Sequence, residues 1–229
     1  MAVKILTARE AADLVPNNIN FAINGFMGAS VPEEIAVEIE NRFLETGEPN
    51  NLTLLFCAAQ GDGKTKGLNH LAHEGLIRRA IGGHWGMAPK LGKLVVENKI
   101  LAYDFPQGVT NHMFRDTAAH KPGTISHVGL GTFVDPRNLG GKLNPLTQKE
   151  EDLVKLMEID GKEYLFYKTH PVNFAILGGT YADENGNISI EREGVRAETL
   201  AVAQACKNSG GTAIFLLSAK ACAPKRLPL

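Results

Sequence analysis

Cysteine is scarce, aromatic residues are few, and neither sign of charge dominates. The three cysteines, Cys57, Cys206 and Cys222, are an odd set without CxxC spacing. That excludes a disulfide framework and a zinc cluster, and it fits a reducing cytoplasm. Lysine and arginine number 24 against 25 aspartates and glutamates, a net charge of −1. With no basic run longer than a pair, the footprint of a general nucleic-acid binder is missing. Long apolar runs are missing too. The longest candidate, Ala213 to Leu217, is of strand length, far short of the roughly 18 residues that span a bilayer, and MAVKILTARE lacks a signal-peptide core. A soluble cytoplasmic protein with neither nucleic acid nor membrane as partner is expected.

What the chain does have is ordinary hydrophobicity, with 44% apolar residues in 229, and an excess of glycine, 24 residues. The first excludes a disordered chain, and the length suffices for a core. The second is about a tenth of the chain against a usual share of roughly 7%, and implies many turns or close backbone approaches.

Thr7-x-x-Glu10 reads as a capping box opening a short helix over AREAADLV that Pro16 stops. A strand over Ile19–Ile23 follows, then a glycine-bearing turn, then a helix announced by Ser30, Pro32 and Glu33. Ile35, Ile39 and Phe43 supply its apolar stripe and Gly47 its stop. LTLLFCAA (Leu52–Ala59) is the continuous apolar run of a strand covered on both faces. GDGKTKG follows as a loop, and LNHLAHEGLIRRAI reads as helical. KILAYDF ending at Pro106-Gln107-Gly108, and ISHVGLG, read as further strands. Strands alternating with helices predict an α/β domain with a mostly parallel sheet, whose ligands bind at carboxyl strand ends. DLVKLMEI and KEYLFYK flank Asp160-Gly161, a type I′ hairpin turn. Asn185-Gly186 marks a second turn, and RAETLAVAQACKN a closing helix. An antiparallel region is therefore expected within the parallel core, the whole reading as one domain over 1–229.

Four clusters invite a chemical reading. Ala58-x4-Gly63-Lys64-Thr65 approaches a phosphate-binding loop but lacks the first glycine of its tight turn, so a surface turn is expected. His70, His73 and Glu74 spell HxxHE, the wrong order and spacing for a helical zinc site, which favours a surface or capping role. His84-Trp85 inside GGHWG puts the only tryptophan among glycines at a strand end, as a site element or as an aromatic loop anchor. Gln107 follows an apolar strand and, as a neutral donor and acceptor, suits orientation of a carbonyl or carboxylate better than proton abstraction. No Ser-His-Asp order, nucleophile elbow or reactive CxxC is present, and Cys57 reads as a core residue.

The stretch Asn17-Asn18-x2-Phe21-Ala22-Ile23-Asn24-Gly25-Phe26-x3-Ser30-x-Pro32 resembles the N-terminal signature of family I coenzyme A transferases, which has glycines where this chain has Asn24 and Ser30. RRAIGGHWGMAPKL, AYDFPQGV, GLGTFVDPR, GGKLN and ADENGNISIE are similar to its acetate/propionate/3-ketoacid branch, in order, from about residue 3 to 212. The resemblance implies a three-layer α/β/α CoA-transferase-type domain, with an acyl-CoA and a short-chain carboxylate as substrates and no permanently bound cofactor. It also implies covalent catalysis by a glutamate belonging to a second half, either a fused C-terminal half or a β-type subunit. No catalytic residue is then expected in this chain, Glu191 and Glu193 included. Asn24, Gly25, Phe26, Gly83, His84, Gln107 and Gly108 are carried over as substrate-binding residues. A half-enzyme of this kind should expose an apolar patch and form homo- or hetero-oligomers. The tail from 213 to 229 departs from the pattern. A genuine subunit end, a shortened chain and a late change of reading frame are the alternatives, and the last is the working expectation. A non-catalytic ligand-binding domain or an inactive fragment on the same fold is the alternative to the transferase reading.

Overall fold

The computed structural model describes residues 4–218. Helix α1 (Ala8–Asp13) opens on the expected capping box, in which Thr7 and Glu10 satisfy each other's backbone N–H groups. Strand β1 (Asn20–Ile23) leads to α2 (Glu33–Thr46), which ends at Gly47 in the left-handed conformation that glycine adopts without strain. Strand β2 (Leu52–Ala58) is buried along its whole length. A 3₁₀ turn (Gly67–Leu71) and β3 (Ile77–Gly83) follow, then α3 (Pro89–Val96), β4 (Leu101–Asp104) and α4 (Gln107–Ala118).

The second part of the chain begins with β5 (Gly123–Ser126) and a short α5 (Pro145–Gln148). Strands β6 (Val154–Ile159) and β7 (Lys162–Lys168) form the hairpin expected around Asp160-Gly161. Strand β8 (Phe174–Gly179) returns to the core. It is followed by the small hairpin β9 (Tyr181–Ala182) and β10 (Ile188–Ser189), α6 (Thr199–Asn208) and β11 (Thr212–Leu217).

Six strands form one parallel sheet in the order β11-β8-β1-β2-β3-β4, and β5-β7-β6 form a separate antiparallel sheet. Alternation along the strands divides the core. Phe21, Ile23, Leu54 and Phe56 pack with α1, α2 and α3 on one face. Ala22, Leu55 and Cys57 pack with α4, α6 and the antiparallel sheet on the other. This is the expected three-layer arrangement with its antiparallel insertion. Among the described residues no helix is long and apolar enough to cross a membrane.

Two local expectations are corrected. LNHLAHEGLIRRAI is not one helix: only Gly67–Leu71 turns helically, Gly75 has φ of 93°, and Ile77 begins a central strand. The apolar spacing of a strand buried on both faces imitates a helical period. ISHVGLG does not join the parallel sheet; its first residues complete β5 and pair antiparallel with β7. Of the tail from 213, the described residues end in β11 and Ser218, and β11 pairs along β8. The remainder of that tail, with Cys222, lies outside the described residues.

Candidate active-site edge

Because β1, β2, β3 and β4 are parallel neighbours, the loops leaving their carboxyl ends lie side by side. Backbone hydrogen bonds join them: Gly61 N–H donates to Met27 O (2.7 Å), Ala59 N–H to His84 O (3.0 Å) and Phe105 N–H to Gly82 O (3.0 Å). The chain runs outward from β1 to β4 on one side and places β8 and β11 on the other. The exit of β1 is thus the point where the strand order reverses, the usual ligand crevice of an open α/β sheet.

The seven residues carried over from the resemblance all fall on this edge, in different roles. Asn24 is fully buried, with its Oδ1 accepting the Gly178 N–H (3.1 Å) and its Nδ2 donating to the Thr199 hydroxyl. Gly25 is buried at φ of 139°, and Phe26 beyond it is exposed at the mouth with Met27. Gly83 ends β3 where a Cβ would stand 2.4 Å from the Phe105 carbonyl oxygen and 3.1 Å from the Gln107 nitrogen. Only glycine permits that approach. His84 is exposed at φ of 51°. Gln107 and Gly108 are exposed too and form the first turn of α4, leaving the Gln107 side chain on the surface beside β3.

Trp85 anchors its loop by an edge-to-face contact with Phe56 (5.2 Å between centroids), and its indole N–H reaches toward Asp104 without closing a hydrogen bond. Burial pushes the Asp104 carboxyl up to about 6, against the opposing pull of Trp85 and His84.

Two further polar groups here carried no sequence signal. Gln60, after β2, is fully buried with neither end of its carboxamide hydrogen-bonded. Glu198 is only 5% exposed at the start of α6, and its Oε1 has no partner. Burial raises its carboxyl to about 7, although its own N–H and that of Gly25 favour the charged form. In the sequence Glu198 looks like any helix-surface acid in RAETLAVAQACKN. Only the tertiary contact of α6 with the β1 exit turn reveals its burial.

The other clusters resolve structurally. Asp62 Oδ1 accepts the N–H groups of Lys64 (2.8 Å), Thr65 (2.7 Å) and Lys66 (3.0 Å), so a carboxylate of the chain itself fills the place a phosphate would take. His70 contacts Glu33 and Glu40, and His73 contacts Glu40 (2.7 Å), fastening the 3₁₀ turn to α2. Among the described residues no group of three suited to hold a metal ion occurs.

An open parallel sheet with helical layers on both faces and glycine-rich loops gathered at one strand edge defines an α/β domain of the kind that holds ligands at such an edge. The chain belongs to the coenzyme A transferase family, whose profile matches residues 5–215. It is 48% identical to the caffeate CoA-transferase of Acetobacterium woodii, over 92% of this chain and 40% of that protein. It is 40% identical to the acetate CoA-transferase YdiF of Escherichia coli K12, over 91% of this chain and 39% of that one. Against the crystal structure of YdiF from E. coli O157:H7 in a thioester complex with CoA, the TM-score is 0.89 at 38% identity, covering 99% of this chain and 45% of the other. The chain therefore spans about 40% of the length of these curated relatives. The acetate CoA-transferase subunit alpha of E. coli K12 matches at 24% identity over 83% of this chain and 76% of its own length.

Proposed function

We propose that this chain is the N-terminal, α-type half of an acyl-CoA:carboxylate CoA-transferase that moves CoA between an acyl-CoA and a short-chain acid such as acetate, propionate or a 3-ketoacid, in the cytoplasm. The observation that carries the reading is the close match, over nearly the whole chain, to relatives named as CoA-transferases, only about 40% of whose length it spans. A catalytic glutamate would come from a second half, fused or separate. Its carboxylate attacks the thioester carbonyl, CoA leaves as thiolate, and an acyl-glutamyl anhydride forms. The thiolate then attacks the glutamyl carbonyl, releasing the first acid and leaving a glutamyl-CoA thioester, which the second acid reverses.

The role of this half is to line the cleft. Gln107, exposed at the first turn of α4, orients the acyl carboxylate or thioester carbonyl, while Phe26, His84 and Gly108 border the mouth and Asn24, Gly25 and Gly83 set its backbone. A neutral carboxamide polarises a carbonyl without competing as a base. Isotope exchange between acetyl-CoA and acetate tests the reading. The chain alone should give no exchange, and the chain with a glutamate-bearing second half should give turnover. Absence of exchange in both cases favours a ligand-binding domain or an inactive fragment. Gln107→Ala should lower kcat/KM by about tenfold or more; unchanged kinetics for both substrates would remove that role.

A further inference from the structure

Asn24 and Ser30 both spend their side chains on one distant segment. Asn24 Nδ2 donates to the hydroxyl of Thr199, and Ser30 Oγ donates to the Val195 carbonyl at 2.8 Å, partners 175 and 165 positions along the chain. The Thr199 hydroxyl donates onward to Arg196 O (2.9 Å), while Asn24 Oδ1 takes the Gly178 N–H at the end of β8. Residues 195–199 are thus fastened to both ends of the β1 exit turn. Glycine at 24 and 30 could make none of the side-chain bonds.

Between the fastenings lies Glu198, buried and with Oε1 unpartnered, toward whose carboxyl the Gly25 N–H reaches. On another side Gly25 is walled by Gln60, whose Cβ would be 3.4 Å from any side chain placed there. The Phe26 N–H is already taken by Ala29 O (3.1 Å). Such a turn is held by a backbone N–H of β8, by side chains at the start of α6 and by Gln60 of the β2 exit together, at the reversal point of the sheet. A buried acid with an unpartnered oxygen is costly to keep, and a turn that only had to reverse the chain would need none of these contacts.

We propose that residues 195–199 form a strap that positions the β1 exit turn for CoA transfer, with Asn24, Ser30 and Thr199 as its fastenings and Glu198 as the buried support beneath Gly25. The proposal rests on the transferase reading above and makes these four positioning residues. Displacing a substrate-bearing turn by about 1 Å can cost on the order of a hundredfold in rate.

The test combines two readouts on Asn24→Gly, Thr199→Val, Thr199→Ser and the Asn24→Gly/Thr199→Val double variant. Amide hydrogen exchange on the chain itself should show lost protection at Gly25 and Gly178 in Asn24→Gly and Thr199→Val, and protection retained in Thr199→Ser. Acyl exchange with the second half should show kcat lowered about tenfold to a hundredfold in the first two and rescued by serine. The double variant should lose less than the sum of the two single losses, because both remove the Asn24–Thr199 bond while each removes one further bond, to the Gly178 N–H or to Arg196 O. Additive losses, or unchanged protection at Gly25, overturn the strap. If the wild type with its second half shows no exchange, the transferase reading fails, and the amide protection still decides whether the strap exists. Should Thr199→Val not fold, the serine variant and Ser30→Gly carry the same comparison.

Discussion

The titratable residue most out of keeping with its surroundings is Glu198. Its ordinary value of 4.5 is raised to about 7 by burial, so between those limits the folded chain keeps a proton that the unfolded chain has released. Stability contributed by the neutral form is therefore lost as pH rises through that window, then levels off. His170 works in the opposite sense: burial depresses it from 6.5 to about 4, so its contribution falls as pH drops through that range. The neighbouring Cys57 thiol is raised by burial and by Glu198, and stays neutral throughout. Glu198→Gln isolates the first effect. Urea denaturation should find wild type and variant alike at pH 5, and the variant more stable at pH 8 by on the order of 2 kcal/mol. A difference that does not change with pH would mean Glu198 does not titrate there. Gly83 makes a simpler case. A methyl group at 2.4 Å from the Phe105 carbonyl must move backbone. Gly83→Ala should cost about 1–3 kcal/mol in the same assay, and indifference to it would show that the β3 end can yield.

At the scale of elements, legibility followed local chemistry. The α1 capping box, the Gly47 stop and the Asp160-Gly161 hairpin were readable because a few adjacent residues decide them. Strand β3 was not, because Ile77, Ala80 and Ile81 are buried by layers on both faces and carry no period of two. The loop 61–67 shows how a near-motif misleads. Gly63-Lys64-Thr65 suggests anion binding until Asp62 is seen bonded to the three following N–H groups, which hold its carboxyl far below the usual range. Asp62→Ala should raise hydrogen exchange at Lys64, Thr65 and Lys66 while leaving β2 and β3 protected. In the wild type those amides should stay protected as pH falls past 3.8, because a depressed carboxyl loses its contribution only at its own lower pKa. Exchange that accelerates near pH 4 would show the loop held by something else.

For the whole molecule, the edge proposed as the site was legible in the glycine distribution, but the polar groups packed behind it were not. The residues proposed to line the cleft sit at strand ends that any alternation of β and α would place together. Glu198 and the Thr199 hydroxyl reach that edge only through contacts between parts of the chain far apart in sequence, which no local pattern encodes. One exposed surface is a candidate for contact with the proposed second half. Between Ile125 and Leu146, six large apolar side chains, Ile125, Val128, Phe133, Leu139, Leu143 and Leu146, are exposed, and Phe26 and Met27 are exposed at the mouth of the site. Exposed apolar side chains are candidates for a contact surface where they form a contiguous patch. The chain alone should therefore self-associate, shown in sedimentation velocity as concentration-dependent species. Adding the glutamate-bearing half should replace them with one discrete complex. Leu139→Lys with Leu143→Lys should weaken both associations while leaving the thermal midpoint of the chain nearly unchanged, since these side chains already face water. A monodisperse monomer that ignores the second half would show that this segment is ordinary surface.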